Sequence, residues 1–373
     1  MFKTTALHAR ILGGLLGGAV GDALGGPVEG LHYLEIERLH GRVETMLPYQ
    51  REPSEHAQFH NAPGSYTDDT RLALILCQAI IEARGTPVRG DFARVIAEYH
   101  HSHTSPLERS FIEEYYLKGL YGSRKLIYGG QPTNGALMCI APIGLIHPAD
   151  PKAAFGLAFE LSFITDGYAK ESAAMGAAAV AAAFIPDATP EGIVLTVLET
   201  AAWFRREGTL WPATIREHDW ARFEGRPNDE LILAALESAH KHHDVFAMRE
   251  ELYQKLYVSP VGSEAGQTLA VALAMLVAAG GDYRQTVIGA VNYGRDNDSY
   301  AAVAGAIAGA LHGVNAIPSD WANCVLESNP QPDLQATALE LTRLVAARHQ
   351  QQQLVVQAVQ TLLDTAQNGK EII

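Results

Sequence analysis

The chain is predicted to be all-α and to form a single domain over residues 1–373, and three observations predict it. Runs rich in alanine, glycine and leucine recur at residues 11–24, 170–184, 262–279 and 301–317, and small or apolar residues return in them every three or four positions, the spacing of one helix face. No stretch keeps the period-two alternation of a half-buried strand over a useful length. At 373 residues and 47% hydrophobic, the chain has enough apolar mass for one large core.

In chain order, residues 11–24 (ILGGLLGGAVGDAL) come first. Their glycines do not follow G-x-G-x-x-G and no strand precedes them, so a dinucleotide loop is set aside for a helix that approaches its neighbours closely. Asp22 lies within this run and is expected to order a turn. Glu29 follows the Gly25-Gly26-Pro27 break, on a loop from which a carboxylate can reach a site. Residues 40–64 hold Pro48, Pro53 and Pro63 with weak periodicity and read as an irregular loop, a candidate lid or substrate wall. Helices are expected over 71–83 and 91–101. His100, His101 and His103 fall near the end of the second, but nothing in the sequence supplies the further ligands that zinc needs.

Residues 128–135 (YGGQPTNG) are a turn-rich approach to a helix expected over 136–146, with Asn134 near its start. Helices follow over 153–163 and 170–184, separated by Thr165-Asp166-Gly167. The more polar residues 203–260 read as outer helices and loops. Residues 262–279 return to the buried pattern with Ser263 and Glu264 at their head, and 283–292 lead to a second acidic cluster. The helix of 301–317 is mostly alanine and glycine and short for a bilayer span, so it is a core helix. A long helix is expected after Pro330, to about residue 363.

Charge and cysteine usage narrow the partners. A net charge of −14 argues against a nucleic-acid backbone or an anionic membrane, both of which demand a positive surface. Cys77, Cys139 and Cys324 are odd in number and widely spaced, which gives no disulfide framework or zinc pattern and fits a reducing cytoplasm. The apolar N-terminal run leads straight into Asp22 without a cleavage site, so a targeting role is not expected.

Two stretches organise the rest: Gly64-Ser65-Tyr66-Thr67-Asp68-Asp69-Thr70 and Gly294-Arg295-Asp296-Asn297-Asp298-Ser299. Each sets two carboxylates and a hydroxyl directly before an alanine- and leucine-rich helix. Taken singly, each is what a helix N-terminus asks for, because Asp, Ser and Thr satisfy free N–H groups. Facing each other, they would crowd four carboxylates whose repulsion only protons or cations relieve. Hard divalent ions with oxygen ligands, Mg2+ first, suit such a donor set.

These clusters, together with Gly17–Gly25 (GGAVGDALG) followed by Glu29, and with Asn134-Gly135-Ala136 followed by Met138, resemble the ADP-ribosylglycohydrolases. The motifs come in that family's order between about residues 11 and 317. The resemblance implies an all-α orthogonal bundle with two Mg2+ ions, replaceable by Mn2+, at the bottom of a cleft. It implies Thr67, Asp68, Asp69, Asp296, Asp298 and Ser299 as metal ligands and Glu29 as the catalytic carboxylate. It also implies substrate contacts at Asn134 and Gly135, whose amides would hold a diphosphate at a helix start, and at Asp166, Gly294 and Arg295. The implied reaction is hydrolysis of the bond between ADP-ribose and a protein side chain or other acceptor, with ADP-ribose or ADP-ribosylated protein as substrate. Three positions depart from the family pattern: Cys139 where Arg is frequent, Asp166 where His is frequent, and a neutral Gln131 where an acid would hold a cationic acceptor. They leave open a dinuclear-metal N-glycosidase acting on a smaller nucleoside or nucleotide conjugate, and a non-catalytic ADP-ribose-binding or immunity protein.

Overall fold

Helices built of glycine and alanine can pack backbone to backbone, and this fold is arranged around one such pair. The structure is a computed structural model that describes residues 5–48, 62–102, 115–119, 133–165, 168–207, 227–258 and 262–368. Its α-helices in chain order are α1 (Ala6–Gly25), α2 (Tyr33–His40), α3 (Asp68–Glu82), α4 (Arg89–Ser102), α5 (Ala141–Leu145), α6 (Pro151–Leu161), α7 (Ala169–Ala182) and α8 (Pro190–Glu207). They continue with α9 (Asn228–His242), α10 (Arg249–Lys255), α11 (Ala265–Ala278), α12 (Tyr283–Val291), α13 (Asn297–His312), α14 (Ser319–Ser328) and α15 (Leu334–Asn368). Among the described residues there is no β-strand, only two isolated bridges, His32 with Gly294 and Thr133 with Glu264.

α1 and α13 run antiparallel in contact along their lengths. A methyl group added at Gly21 would stand 2.0 Å from the Ala301 carbonyl oxygen, one at Gly17 would stand 2.6 Å from that of Gly305, and one at Gly13 would stand 2.3 Å from that of Gly309. Any larger side chain at this four-residue spacing would drive the helices toward or beyond the usual 8–10 Å separation. The Ala6–Val28 stretch is apolar and long enough to cross a bilayer, but 89% of its most apolar window is buried inside the fold. α7 and α11 are buried on every face; each is mostly small and apolar, with its polar residues, Lys170, Glu171 and Ser172 in α7 and Gln267 and Thr268 in α11, confined to the first turn.

The outer elements are tied by polar contacts. Arg205 of α8 donates to Glu171 of α7 at 2.6 Å and to Asp229 of α9 at 2.8 Å. The Asn292 side chain both donates to and accepts from the Val43 backbone at 2.9 Å, which fixes the irregular stretch after α2.

Helix ends differ from the expectation in instructive places. α3 begins at Asp68 rather than 71, because Thr67 caps it and both aspartates lie in its first turn. The helix expected over 136–146 is instead a run of turns at 134–139 followed by the short α5, with Pro142 in its first turn where a missing N–H costs nothing. α2 was not anticipated. α15 extends to Asn368, beyond the expected 363.

Candidate metal centre

The first acidic cluster is held by a residue outside it. Asp22, fully buried in α1, accepts the Thr67 amide at 2.9 Å, the Thr70 amide at 3.0 Å and the Thr70 hydroxyl at 2.5 Å. Three donors on one carboxylate lock the first turn of α3 onto α1, so Asp22 orders a turn 45 residues away in the chain. Thr67 then caps the helix, its hydroxyl oxygen accepting the Asp69 amide at 3.4 Å. Asp68 accepts the Tyr115 hydroxyl at 3.3 Å.

The second cluster opens α13. Asp296 is its N-cap residue but makes no side-chain capping bond, so its carboxylate points elsewhere. One oxygen accepts the Asn134 side-chain amide at 2.6 Å, and that amide also donates to the Thr268 hydroxyl at 3.0 Å. Asp298 is buried and accepts the Ser299 amide at 2.9 Å. The loop carrying Glu29 is clasped to this cluster by two backbone bonds, Gly30 N–H to the Arg295 carbonyl at 2.5 Å and Arg295 N–H to the Leu31 carbonyl at 2.8 Å. Gly294 makes the clasp possible: its φ is +84°, and a methyl there would lie 2.4 Å from the Leu31 carbonyl oxygen.

The clusters therefore converge, although they are more than 200 positions apart in the chain. Carboxylate oxygens of Glu29, Asp296 and Asp298 lie within 4.8 Å of one another. Asp69 faces them: its carboxyl is held well above the ordinary range, first by burial and then by the charges of Asp22, Asp68 and Asp296. Burial and the neighbouring Glu29 push Asp296 up to about 7 and raise Asp298 as well. Asp69 Oδ1 is buried and makes no hydrogen bond among the described residues. A buried carboxylate oxygen without a donor, inside a ring of like charges and hydroxyls, is a set of hard oxygen donors that fits a divalent cation. Glu29 stands inside the same triangle, so it can hold a cation as well as act on water.

On its outer side the centre opens into a cavity of about 580 Å3, lined by Glu29, His32, Tyr253, Tyr257, Arg295 and Asp296 among others. His32 and Tyr253 meet edge to face with ring centroids 4.6 Å apart, and the Tyr253 hydroxyl donates to the Tyr293 carbonyl at 2.9 Å. Arg295 sits at φ +62°, a left-handed conformation that costs a non-glycine residue free energy. Nothing in the sequence marks His32, Tyr253 and Tyr115 as site residues, because tertiary packing alone brings these rings to the centre.

Sequence comparison decides the family. The sequence model of the ADP-ribosylglycohydrolases matches residues 3–353. The chain belongs to the ADP-ribosylglycohydrolase family. Relatives of this family member include "Uncharacterized protein YegU" of Escherichia coli (strain K12), 27% identical over 83% of this chain and 89% of the relative. An "Uncharacterized protein" of Archaeoglobus fulgidus is 31% identical over 80% of this chain and 85% of its own. Among solved structures, an "ADP-ribosylglycohydrolase-related protein complex" superposes with a TM-score of 0.55 at 25% identity, covering 91% of this chain and 99% of that one. The all-α fold of this family member is thus shared with that solved structure.

The implied substrate contacts fare differently. Arg295 lines the cavity, and Gly294 shapes the clasp behind it. Asn134 and Gly135, the expected diphosphate contacts, lie in a run of turns rather than at a helix start, and the Asn134 backbone amide donates to the Ser263 carbonyl at 2.8 Å. Asn134 instead acts through its side chain on Asp296. Asp166, Gln131 and His103 lie outside the described residues. Cys139 is buried, and among the described residues its thiol reaches the carbonyls of Gly135 and Ala136. His100 stacks on Tyr116 at 4.2 Å.

Proposed function

We propose that this chain is a divalent-cation-dependent hydrolase that cleaves the glycosidic bond between ADP-ribose and an acceptor, reversing ADP-ribosylation. The observation that carries this reading is the approach of Glu29, Asp296 and Asp298 within 4.8 Å, opposite the undonated Asp69 Oδ1. Thr67, Asp68, Asp69, Asp296, Asp298 and Ser299 would hold two Mg2+ ions, or Mn2+ in their place. Such ions supply charge stabilisation and a water of lowered pKa.

The chain's own residues do the rest. Asp22 keeps the Thr67–Thr70 turn rigid, so the donors of the first cluster are fixed before substrate arrives. Asn134 donates to one oxygen of Asp296 and so orients the other. Glu29, half-buried at the cavity wall, orients the attacking water, accepts its proton as the anomeric bond breaks, and passes that proton to the departing acceptor.

Arg295 bears on the acceptor. A guanidinium at the cavity wall repels a second one, so a neutral or anionic acceptor is favoured over ADP-ribosyl-arginine. The buried position of Cys139 supports retention of the ADP-ribose half, since the change from Arg at that position does not open onto the cavity.

The test offers ADP-ribosylated arginine, serine and glutamate peptides to the protein with chelator and after Mg2+ or Mn2+ is restored. Cation-dependent release of ADP-ribose from the serine or glutamate peptide, abolished in Glu29→Gln while cation binding persists, is the expected result. Absence of release from all three, with the cation bound, would retire the reading.

A further inference from the structure

α15 does not end where the fold ends. From His349 to Asp364 every residue is exposed, so the last described turns stand clear of the body on all sides. This stretch should be the most polar helix in the chain, and it is not. Leu354, Val355, Val356, Val359, Leu362 and Leu363 are 50–70% exposed, and residues 350–363 (QQQQLVVQAVQTLL) contain no charged side chain. Val355, Val359 and Leu362 follow one another at four and three positions, the spacing of a helix–helix seam. The match to the family model stops at residue 353, immediately before the apolar stretch.

We propose that this projecting end of α15 pairs with the same segment of a second copy, antiparallel, to form a dimer. Three observations select a second copy. The absence of charge over 350–363 removes the like-charge repulsion that ordinarily keeps identical surfaces apart. The flanking charges are complementary to themselves when reversed: Arg348 and His349 lie at the body end, where Arg343 is already paired with Glu340, and Asp364 at the tip is the only acid between 341 and 364. Setting Val355 against Leu362 of the second copy brings Asp364 within about one helical turn of that copy's His349. Antiparallel pairing also leaves the two bodies at opposite ends, whereas parallel pairing presses them together beside helices only about 8–10 Å apart. The paired stretch is about 21 Å long at 1.5 Å per residue, which covers less than the roughly 800 Å2 per partner of a standard interface. The dimer is accordingly reversible.

Sedimentation equilibrium of the full chain over a wide concentration range tests this. The expected result is a monomer–dimer equilibrium for the natural chain and a monomer at every concentration for Val359→Glu, with unchanged melting temperature because the position is exposed. Oxidation should cross-link Val359→Cys, which lies at the crossing point, and should leave Asp364→Cys unlinked. A natural chain that is monomeric throughout, a Val359→Glu chain that still dimerises, or a cross-linked Asp364→Cys would overturn the proposal. So would a monomeric chain that floats with neutral phosphatidylcholine vesicles, which would make the apolar stripe a lipid-binding face.

Discussion

Gly25 lies directly against the backbone of Asp298: a methyl group in place of its hydrogen would stand 2.5 Å from the Asp298 Cα and 2.6 Å from its nitrogen. The end of α1 thereby fixes how far the second acidic cluster stands from Glu29, four residues further on. Gly25→Ala is expected to destabilise the protein by roughly 1–3 kcal/mol, because the obstructing atoms are backbone and cannot turn away. It should weaken divalent-cation binding beyond the loss of fold. Gly90→Ala, where nothing lies within 4 Å, is the matched control and should be neutral or slightly stabilising. Melting curves and calorimetric titration with Mn2+ separate the two effects.

Asp22→Asn should be costly although it changes one atom. An amide can accept from only part of the Thr67 and Thr70 donor set and turns an N–H2 toward the remainder. A loss of about 1–3 kcal/mol is expected from the buried donor left without a partner. Hydrogen exchange should show the first turn of α3 opening while α13 keeps its protection.

Asn134→Leu removes the donor to Asp296 without adding charge. The Asp296 carboxyl, already raised by burial and Glu29, should rise further, and cation affinity should fall about 10–100-fold, as for other groups that orient ligands. Titration of Mn2+ binding between pH 6 and 8 would show the largest deficit at the acidic end.

Chelated protein should lose stability as pH rises. Asp69, Asp296 and Asp298 are all raised in the folded state, so the fold binds more protons than the unfolded chain above the ordinary carboxylate value of about 4. Their contribution is greatest below that value and is lost as pH rises through about 7 for Asp296. Excess Mg2+ should flatten or reverse the slope. Melting temperatures at pH 5 and 8, with and without the ion, measure this, and identical slopes would contradict it.

Arg295→Gly should separate stability from activity. The left-handed φ of +62° is natural to glycine, so relieving it is expected to stabilise the fold by about 1 kcal/mol. Turnover of an anionic acceptor conjugate should fall, while that of ADP-ribosyl-arginine should be unchanged or improve.

The sequence disclosed most of the helices, because alanine- and glycine-rich runs such as those of α1, α11 and α13 have one physical use in a core. It also disclosed the members of the acidic centre, since Asp68, Asp69, Asp296 and Asp298 sit beside apolar helices where unpaired charge is expensive. It could not show that Asn134 works through its side chain. That depends on Pro142 delaying the helix and on the Ser263 carbonyl taking the backbone amide, and both are matters of tertiary arrangement. Tyr253 and His32 were equally invisible: they lie more than 200 positions apart in the chain, and only tertiary packing brings their rings together. α2 escaped for a different reason, since YLEIERLH is short and only Ile36 in it is buried.

Glu29, the Thr67–Asp69 turn and the Asp296–Ser299 turn are drawn from opposite ends of the polypeptide and meet only because α1 lies along α13. A nascent chain still missing its last hundred residues consequently lacks Asp296 and Asp298 and cannot assemble this cluster of carboxylates, whatever the quality of its N-terminal half.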